Sequence, residues 1–182
     1  MLLGKLNLLY CSTNYLGIKV MELNKIAETD GTIADKAVSY FNVDGWNCAE
    51  SIYMAIFGDY YGMNVNPKTV SALGGGIART GNICGAINVG IMGISQTFGR
   101  ENPRQHFIHT QRPVYEFLKR IVDKFGSIYC SQITDCQLST LEGIRKFRDN
   151  KVKDSLCTPL LKSVIETFLS IVNTSRPDLG LT

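Results

Sequence analysis

Residues 114–125 read Val-Tyr-Glu-Phe-Leu-Lys-Arg-Ile-Val-Asp-Lys-Phe, with Val114, Phe117, Leu118, Ile121, Val122 and Phe125 as the recurring apolar positions. That spacing puts the apolar side chains on one stripe of a helix and the charges on the other. The same spacing returns upstream at Ile33, Ala37, Val38 and Phe41, and it persists almost everywhere after Thr32. The fold expected is therefore all-α, a compact multi-helix bundle of about six to eight helices.

Helix-start signals divide the pattern. Thr32 precedes the first helix, Asp44 precedes a helix over 45–57, Asn66-Pro67 precedes Val70 and Leu73, and Asn82 precedes a helix over 83–98. Each offers a side-chain oxygen to backbone N–H groups that have no partner within the helix. Ser139 with Glu142 reads as a capping box for a short helix through Phe147, and Thr158-Pro159 opens the last helix. Pro113 is expected to break or bend the helix that starts near Pro103. The final segment, with Leu160, Leu161, Val164, Ile165, Phe168, Leu169 and Val172, is apolar on more than one face and is expected to be well buried or to lie at a subunit contact.

At 182 residues, with 45% hydrophobic and 19% charged residues, the chain is the size of one globular domain. A net charge of +3 without a recognition motif argues against nucleic-acid binding. No apolar run approaches the roughly 20 residues of a membrane helix, so no membrane insertion is expected. Residues 1–20 lack the small-residue cleavage site of a secretory signal, and Tyr10 is too bulky to precede a lipid-modified Cys11. They read as a disordered or artefactual extension with Met21 as the natural start, followed by a single helical, cysteine-containing domain over 21–175 and a frayed tail over 176–182. Cytoplasmic localisation is the expectation that goes with this.

Five cysteines lie between Cys48 and Cys157, and four of them fall at expected helix starts. Cys84 follows Asn82 in the first turn, Cys48 follows Asp44, Cys130 follows Gly126-Ser127, and Cys157 immediately precedes Thr158-Pro159. A helix start favours thiolate over thiol, and with it metal binding or redox chemistry; Cys84 gains most from this placement. The spacings contain no thioredoxin-type Cys-x-x-Cys, no haem-attachment motif and no zinc knuckle. A disulfide scaffold is not needed by a chain with a large apolar core. A discontinuous site assembled by folding remains.

Gly74-Gly75-Gly76-Ile77-Ala78-Arg79-Thr80-Gly81 resembles a phosphate loop only in its glycine spacing, because Asn82-Ile83 replaces the Lys-Ser/Thr pair. It reads instead as a tight connection that brings backbone close to the Cys84 region, with φ above zero where needed. Arg79 is the candidate positive charge for thiolates or an anionic ligand, and Gly81 and Gly85 are candidate points of close approach to a cofactor. His106 and His109 read as solvated rather than metal-ligating, and the charges from Arg145 to Lys153 as an exposed face. Trp46, Tyr53 and Phe57 read as a core stripe.

These residues resemble the bacterial and archaeal redox-active proteins named for their C_GCAxxG_C_C cysteine pattern, which are related to part of split-Soret cytochrome c. The resemblance runs from Gly45-Trp46-Asn47-Cys48-Ala49-Glu50 through the glycine stretch and Cys84-Gly85-Ala86 to Phe125-Gly126-Ser127-Ile128-Tyr129-Cys130 and Cys157. It implies that Cys48, Cys84, Cys130 and Cys157 are the four defining cysteines, with Cys136 as an auxiliary one. The pattern expects glycine where this chain has Val89, followed by Gly90. Val89 is therefore expected to push the neighbouring helix away and to disturb the site.

The leading reading is a redox protein or electron carrier, rather than a substrate-specific enzyme, with an iron–sulfur cluster or another metal on the four cysteines. The alternatives are a metal-free dithiol/disulfide protein, with Cys84 attacking and Cys130 or Cys157 resolving, and a structural zinc or interaction domain. The partner expected is a redox protein, and self-association stays open.

Overall fold

A computed structural model describes residues 32–174. Helix α1 spans Ile33–Asn42, and α2 spans Cys48–Tyr53 and runs into a π-helical stretch, Met54–Tyr60. A 3-10 helix, Pro67–Leu73, leads to α3 at Gly85–Phe98 and α4 at Ile108–Phe125. Two short helices follow, α5 at Cys130–Thr134 and α6 at Leu141–Asp149, and a π-helical stretch Lys153–Cys157 runs directly into α7, Thr158–Thr174. Among the described residues there is no strand; the one β-type pairing is an isolated antiparallel bridge between Ile83 and Tyr129. The all-α expectation holds. The extension over 1–20 and the tail over 176–182 lie outside the described residues, and the compact unit that carries these helices begins at Ile33.

The core forms around α7, which packs against α1, α3 and α4. It buries Leu160, Leu161, Val164, Ile165, Phe168, Ile171 and Val172, a set too wide for one stripe. The segment Lys153–Thr174 is also long and apolar enough, by length and composition alone, to cross a membrane. This corrects the expectation that no such run exists. The correction follows from the apolar residues that encircle α7, which this fold uses as its centre. On α4 the stripe read from the sequence delivers Phe117 and Ile121 to the core, with Val114, Leu118 and Phe125 packed against it, while Val122 is left 40% exposed.

Close helix approach is set by Gly90 and Gly93 of α3. A Cβ on Gly90 would lie 2.6 Å from the Phe117 ring, and one on Gly93 would lie 2.8 Å from Ile56. Val89 is fully buried among the core side chains. The glycine that admits Phe117 of α4 is Gly90, one residue along and about 100° around the helix axis from Val89.

Several starts fall a few residues from where the sequence put them. Asn47, not Asp44, caps α2, and Thr140, not Ser139, caps α6 by accepting from the Gly143 N–H at 3.0 Å. Helix α4 begins at Ile108 and continues through Pro113 unbroken. Pro113 lies in the second turn, where its missing N–H costs one hydrogen bond near a helix end. Trp46 stands outside α2 and is 40% exposed, whereas Tyr53 packs against the core and Phe57 is buried, so the expected aromatic stripe loses its first member.

Candidate functional site

Two helix starts meet at Cys48 and Cys84. The Asn47 side chain accepts from the N–H groups of Ala49 at 2.9 Å and Glu50 at 3.1 Å, and the Glu50 carboxylate accepts from the Asn47 N–H at 2.8 Å. This reciprocal cap makes Cys48 the first residue of α2, where the N-terminal dipole is strongest. Glu50 also accepts from the Ser71 hydroxyl, and the Asn47 amide donates to the Ser71 carbonyl at 3.1 Å, which tie α2 to the 3-10 helix. Cys84 is itself the N-cap of α3. The two starts come together because Gly85 has no side chain: a Cβ there would lie 2.6 Å from the Leu73 carbonyl oxygen and 3.0 Å from the Ala49 Cβ.

The Cys84 thiol donates a hydrogen bond to the Cys48 sulfur, the largest influence on either group. Burial opposes ionisation of Cys48, but the N–H groups of Gly75, Ala86 and Ala49 also donate to it, and its pKa falls to about 7. Cys84 moves well up, first because it is the proton donor to Cys48, then through burial and the charges of Cys48 and Cys130. Ionisation is therefore favoured at Cys48, toward which the N–H groups of Gly75, Ala86 and Ala49 are directed, over Cys84. Sequence reading placed the reactive thiol at Cys84 because it took Cys48 to be a full turn inside its helix.

Cys130 joins through the bridge beside Cys84. The Cys84 N–H donates to the Ile128 carbonyl and the Cys130 N–H to the Asn82 carbonyl, both at 2.9 Å. Gly76 allows the approach, since a Cβ on it would lie 2.7 Å from the Cys130 Cβ. Burial and then the Cys48 charge push Cys130 up to about 11, partly offset by the Thr134 hydroxyl. Cys157 does not stand at a helix start; it ends the π-helical stretch that continues into α7. Burial, followed by the charges of Cys48 and Cys130, pushes it up to about 12.

Cys48, Cys84, Cys130 and Cys157 all line one cavity of about 570 Å³. Cys136 is buried but does not line it, so the structure brings together the four cysteines and leaves out the auxiliary one. Gly81 and Gly85 do not line it either. Gly81 has φ +78° and packs against Ser131, so both glycines shape the scaffold around the thiols without facing the cavity. His106 and His109 are exposed and do not line the cavity. Among the described residues, no three His, Cys, Asp or Glu side chains are arranged to hold a metal ion.

The glycine stretch forms the cavity's most unusual wall. Gly75, Gly76, Ile77, Ala78 and Arg79 are all left-handed, with φ of 68°, 71°, 57°, 52° and 64°. The turn is closed by long-range backbone bonds, among them Ala78 N–H to Ala72 carbonyl at 2.7 Å and Asn82 N–H to Gly76 carbonyl at 3.0 Å. Three consecutive non-glycine residues in this conformation cost roughly 1–2 kcal/mol each. The turn aims the Gly75 N–H at Cys48 and brings Ala78 and Arg79 to the cavity. The expected φ > 0 is present, extended over residues whose side chains disfavour it.

Lys153 also lines the cavity, its ammonium donating to the Phe41 carbonyl at 2.8 Å and lying 4.6 Å from the Phe41 ring centre. The charge pattern alone predicts an exposed face for it. The charge pattern from Arg145 to Lys153 contains no sign that the π-helical turn rotates this last lysine inward.

A family model described as "Putative redox-active protein (C_GCAxxG_C_C)" matches residues 46–171. Searches of curated proteins and of solved structures find no match.

Proposed function

Since the chain belongs to the C_GCAxxG_C_C family of redox-active proteins, we propose that it is a dithiol–disulfide redox protein whose working pair is Cys48 and Cys84. The observation that carries this reading is the meeting of two helix starts at Gly85, which puts Cys48 and Cys84 on one cavity wall, close enough that each alters the other's ionisation and Cys48 is lowered to about 7. A thiolate is the attacking form in disulfide exchange, and a pKa near ambient pH combines abundance with nucleophilicity.

In the reaction, the Cys48 thiolate attacks one sulfur of an oxidant disulfide. The oxidant's S–S bond breaks, and its departing thiolate keeps the electron pair and takes a proton from solvent. Cys84 gives its proton to solvent and attacks the Cys48 sulfur, releasing the second oxidant thiolate. Two electrons pass from the protein dithiol to the disulfide, and a Cys48–Cys84 bond replaces the two thiols. Raised pKa values keep Cys130 and Cys157 protonated near neutral pH.

A second reading keeps all four cavity cysteines as ligands of an iron–sulfur cluster, supported by their common cavity. As a donor set, four thiols suit such a cluster, which supplies one-electron transfer when bound. Cys48, Cys84, Cys130 and Cys157 would hold it, and the N–H groups of Gly75, Ala86 and Ala49 around Cys48 would offset part of its charge.

Anaerobic purification followed by visible spectroscopy, iron and sulfide analysis and thiol counting separates the two. The dithiol reading expects a colourless protein in which mild oxidation removes two thiols, with peptide mapping joining Cys48 to Cys84. A brown protein with iron, sulfide and four protected thiols would replace it by the cluster reading.

A further inference from the structure

Around the reactive pair, the cavity has a lopsided chemistry. Among the described residues it is lined by two cations, Arg79 and Lys153, and by no Asp or Glu, so the Cys48 thiolate is its one anionic group. Much of the rest is apolar, including Phe41, Ile133, Leu138, Phe147, Leu160 and Leu161. A volume of about 570 Å³ lies in the range of small-molecule sites, which combine apolar walls with a few placed polar groups.

The two cations are not equivalent. Lys153 is engaged by the Phe41 carbonyl and ring. Arg79 makes no ion pair or side-chain hydrogen bond among the described residues, and it is exposed. Its stem lies against Gly75, where an added Cβ would be 3.0 Å from the Arg79 Cγ. Gly75 is one of the three residues whose N–H groups donate to Cys48. One strained turn thus positions both a donor to the nucleophilic sulfur and an uncommitted guanidinium at the same cavity.

We infer that this cavity admits a small organic disulfide with an apolar body and a carboxylate, the carboxylate held by Arg79 and one disulfide sulfur presented to Cys48. This rests on the dithiol reading above and adds the substrate class to it. Arg79 is the specificity-determining residue: a guanidinium pairs a carboxylate through two parallel N–H donors, and the lining holds no Asp or Glu to compete for it. Bond making and breaking are those of the exchange above, with the substrate as the oxidant and two substrate thiols as its products.

The test uses the reduced full chain and two aromatic disulfides, dithionitrobenzoate, which carries a carboxylate on each ring, and dithiodipyridine, which is uncharged near neutral pH. Each rate is divided by that of the same reagent with N-acetylcysteine amide, and the products are peptide-mapped. Arg79→Asn removes the charge with a residue that tolerates positive φ, so the turn is kept. It is expected to slow dithionitrobenzoate about tenfold, the equivalent of one charge-assisted hydrogen bond, and to leave dithiodipyridine within about twofold. Arg79→Lys should recover part of the loss, and Arg145→Asn, on α6, should change neither rate. If a Cys48–Cys84 disulfide forms with both reagents at rates that Arg79→Asn alters equally or not at all, the substrate class is overturned while the dithiol reading stands. If neither reagent yields that disulfide, the dithiol reading fails and takes the substrate class with it.

Discussion

Cys84 donates its thiol proton to the sulfur of Cys48, so that two cysteines far apart in the chain share one proton across the meeting point of two helix starts. The sharing makes them chemically unequal although both sit at helix N-termini. Their inequality gives the first test.

Alkylation of Cys48 by iodoacetamide should rise through pH 7 as its thiol, lowered to about 7, ionises. In Cys84→Ala the donor is gone, and the midpoint should move toward the ordinary thiol range near pH 8.5. Peptide-resolved rates between pH 5 and pH 10 check both, and a midpoint unmoved by Cys84→Ala would contradict the shared proton.

Stability should fall in alkali. Cys130 and Cys157 have folded pKa values raised to about 11 and about 12. Below the unfolded value near 8.5 both states keep these protons; above it the unfolded chain loses them first, so unfolding is favoured as pH rises. Each group contributes a loss of at most about 1.4 kcal/mol per pH unit in that window. Urea unfolding with reductant at pH 8 and pH 10 should show a lower midpoint at pH 10, and Cys157→Ala should shrink the difference.

The left-handed turn stores strain that glycine relieves. Ala78 has φ +52°, and Ala78→Gly should raise stability by about 1 kcal/mol after the entropy cost of the added glycine. Ala78→Val should lower it by about 1 kcal/mol or more, since a β-branched residue fits this conformation worst. Denaturant titrations of the two variants give the comparison.

Val89 should behave as an ordinary core residue. Val89→Gly should cost about 3 kcal/mol, from a lost buried side chain plus a glycine within α3. The iodoacetamide profile of Cys48 should stay unchanged, because Val89 does not line the cavity. A profile that shifts with Val89→Gly would restore Val89 as an influence on the site.

The cap beneath the site is coupled to its chemistry. Asn47→Ala removes the acceptor for the Ala49 and Glu50 N–H groups and the donor to Ser71, and should cost about 1–2 kcal/mol. With α2 frayed at its first turn, the pH midpoint of Cys48 should move up. Unfolding midpoint and alkylation profile measured on the same preparation check the coupling.

Apolar spacing alone determined that this chain is helical, because Val114, Phe117, Leu118, Ile121, Val122 and Phe125 can share a face only with a helical period. The order of helices was legible for the same reason, since it depends on residue types and near neighbours; the set of four cysteines came from the family resemblance, and Cys157 proved not to stand at a helix start. Helix starts were legible to within a few residues, and that margin decided the chemistry. Moving the cap from Asp44 to Asn47 turns Cys48 from an interior residue into the first of its helix. Which sulfur carries the charge depends on donors from Gly75, Ala86 and Cys84, and the cavity's charge depends on a left-handed turn and on a π-helical turn that brings in Lys153. Those are contacts between distant segments, and their energies arise only once the packing of α2, α3 and α7 has fixed the distances.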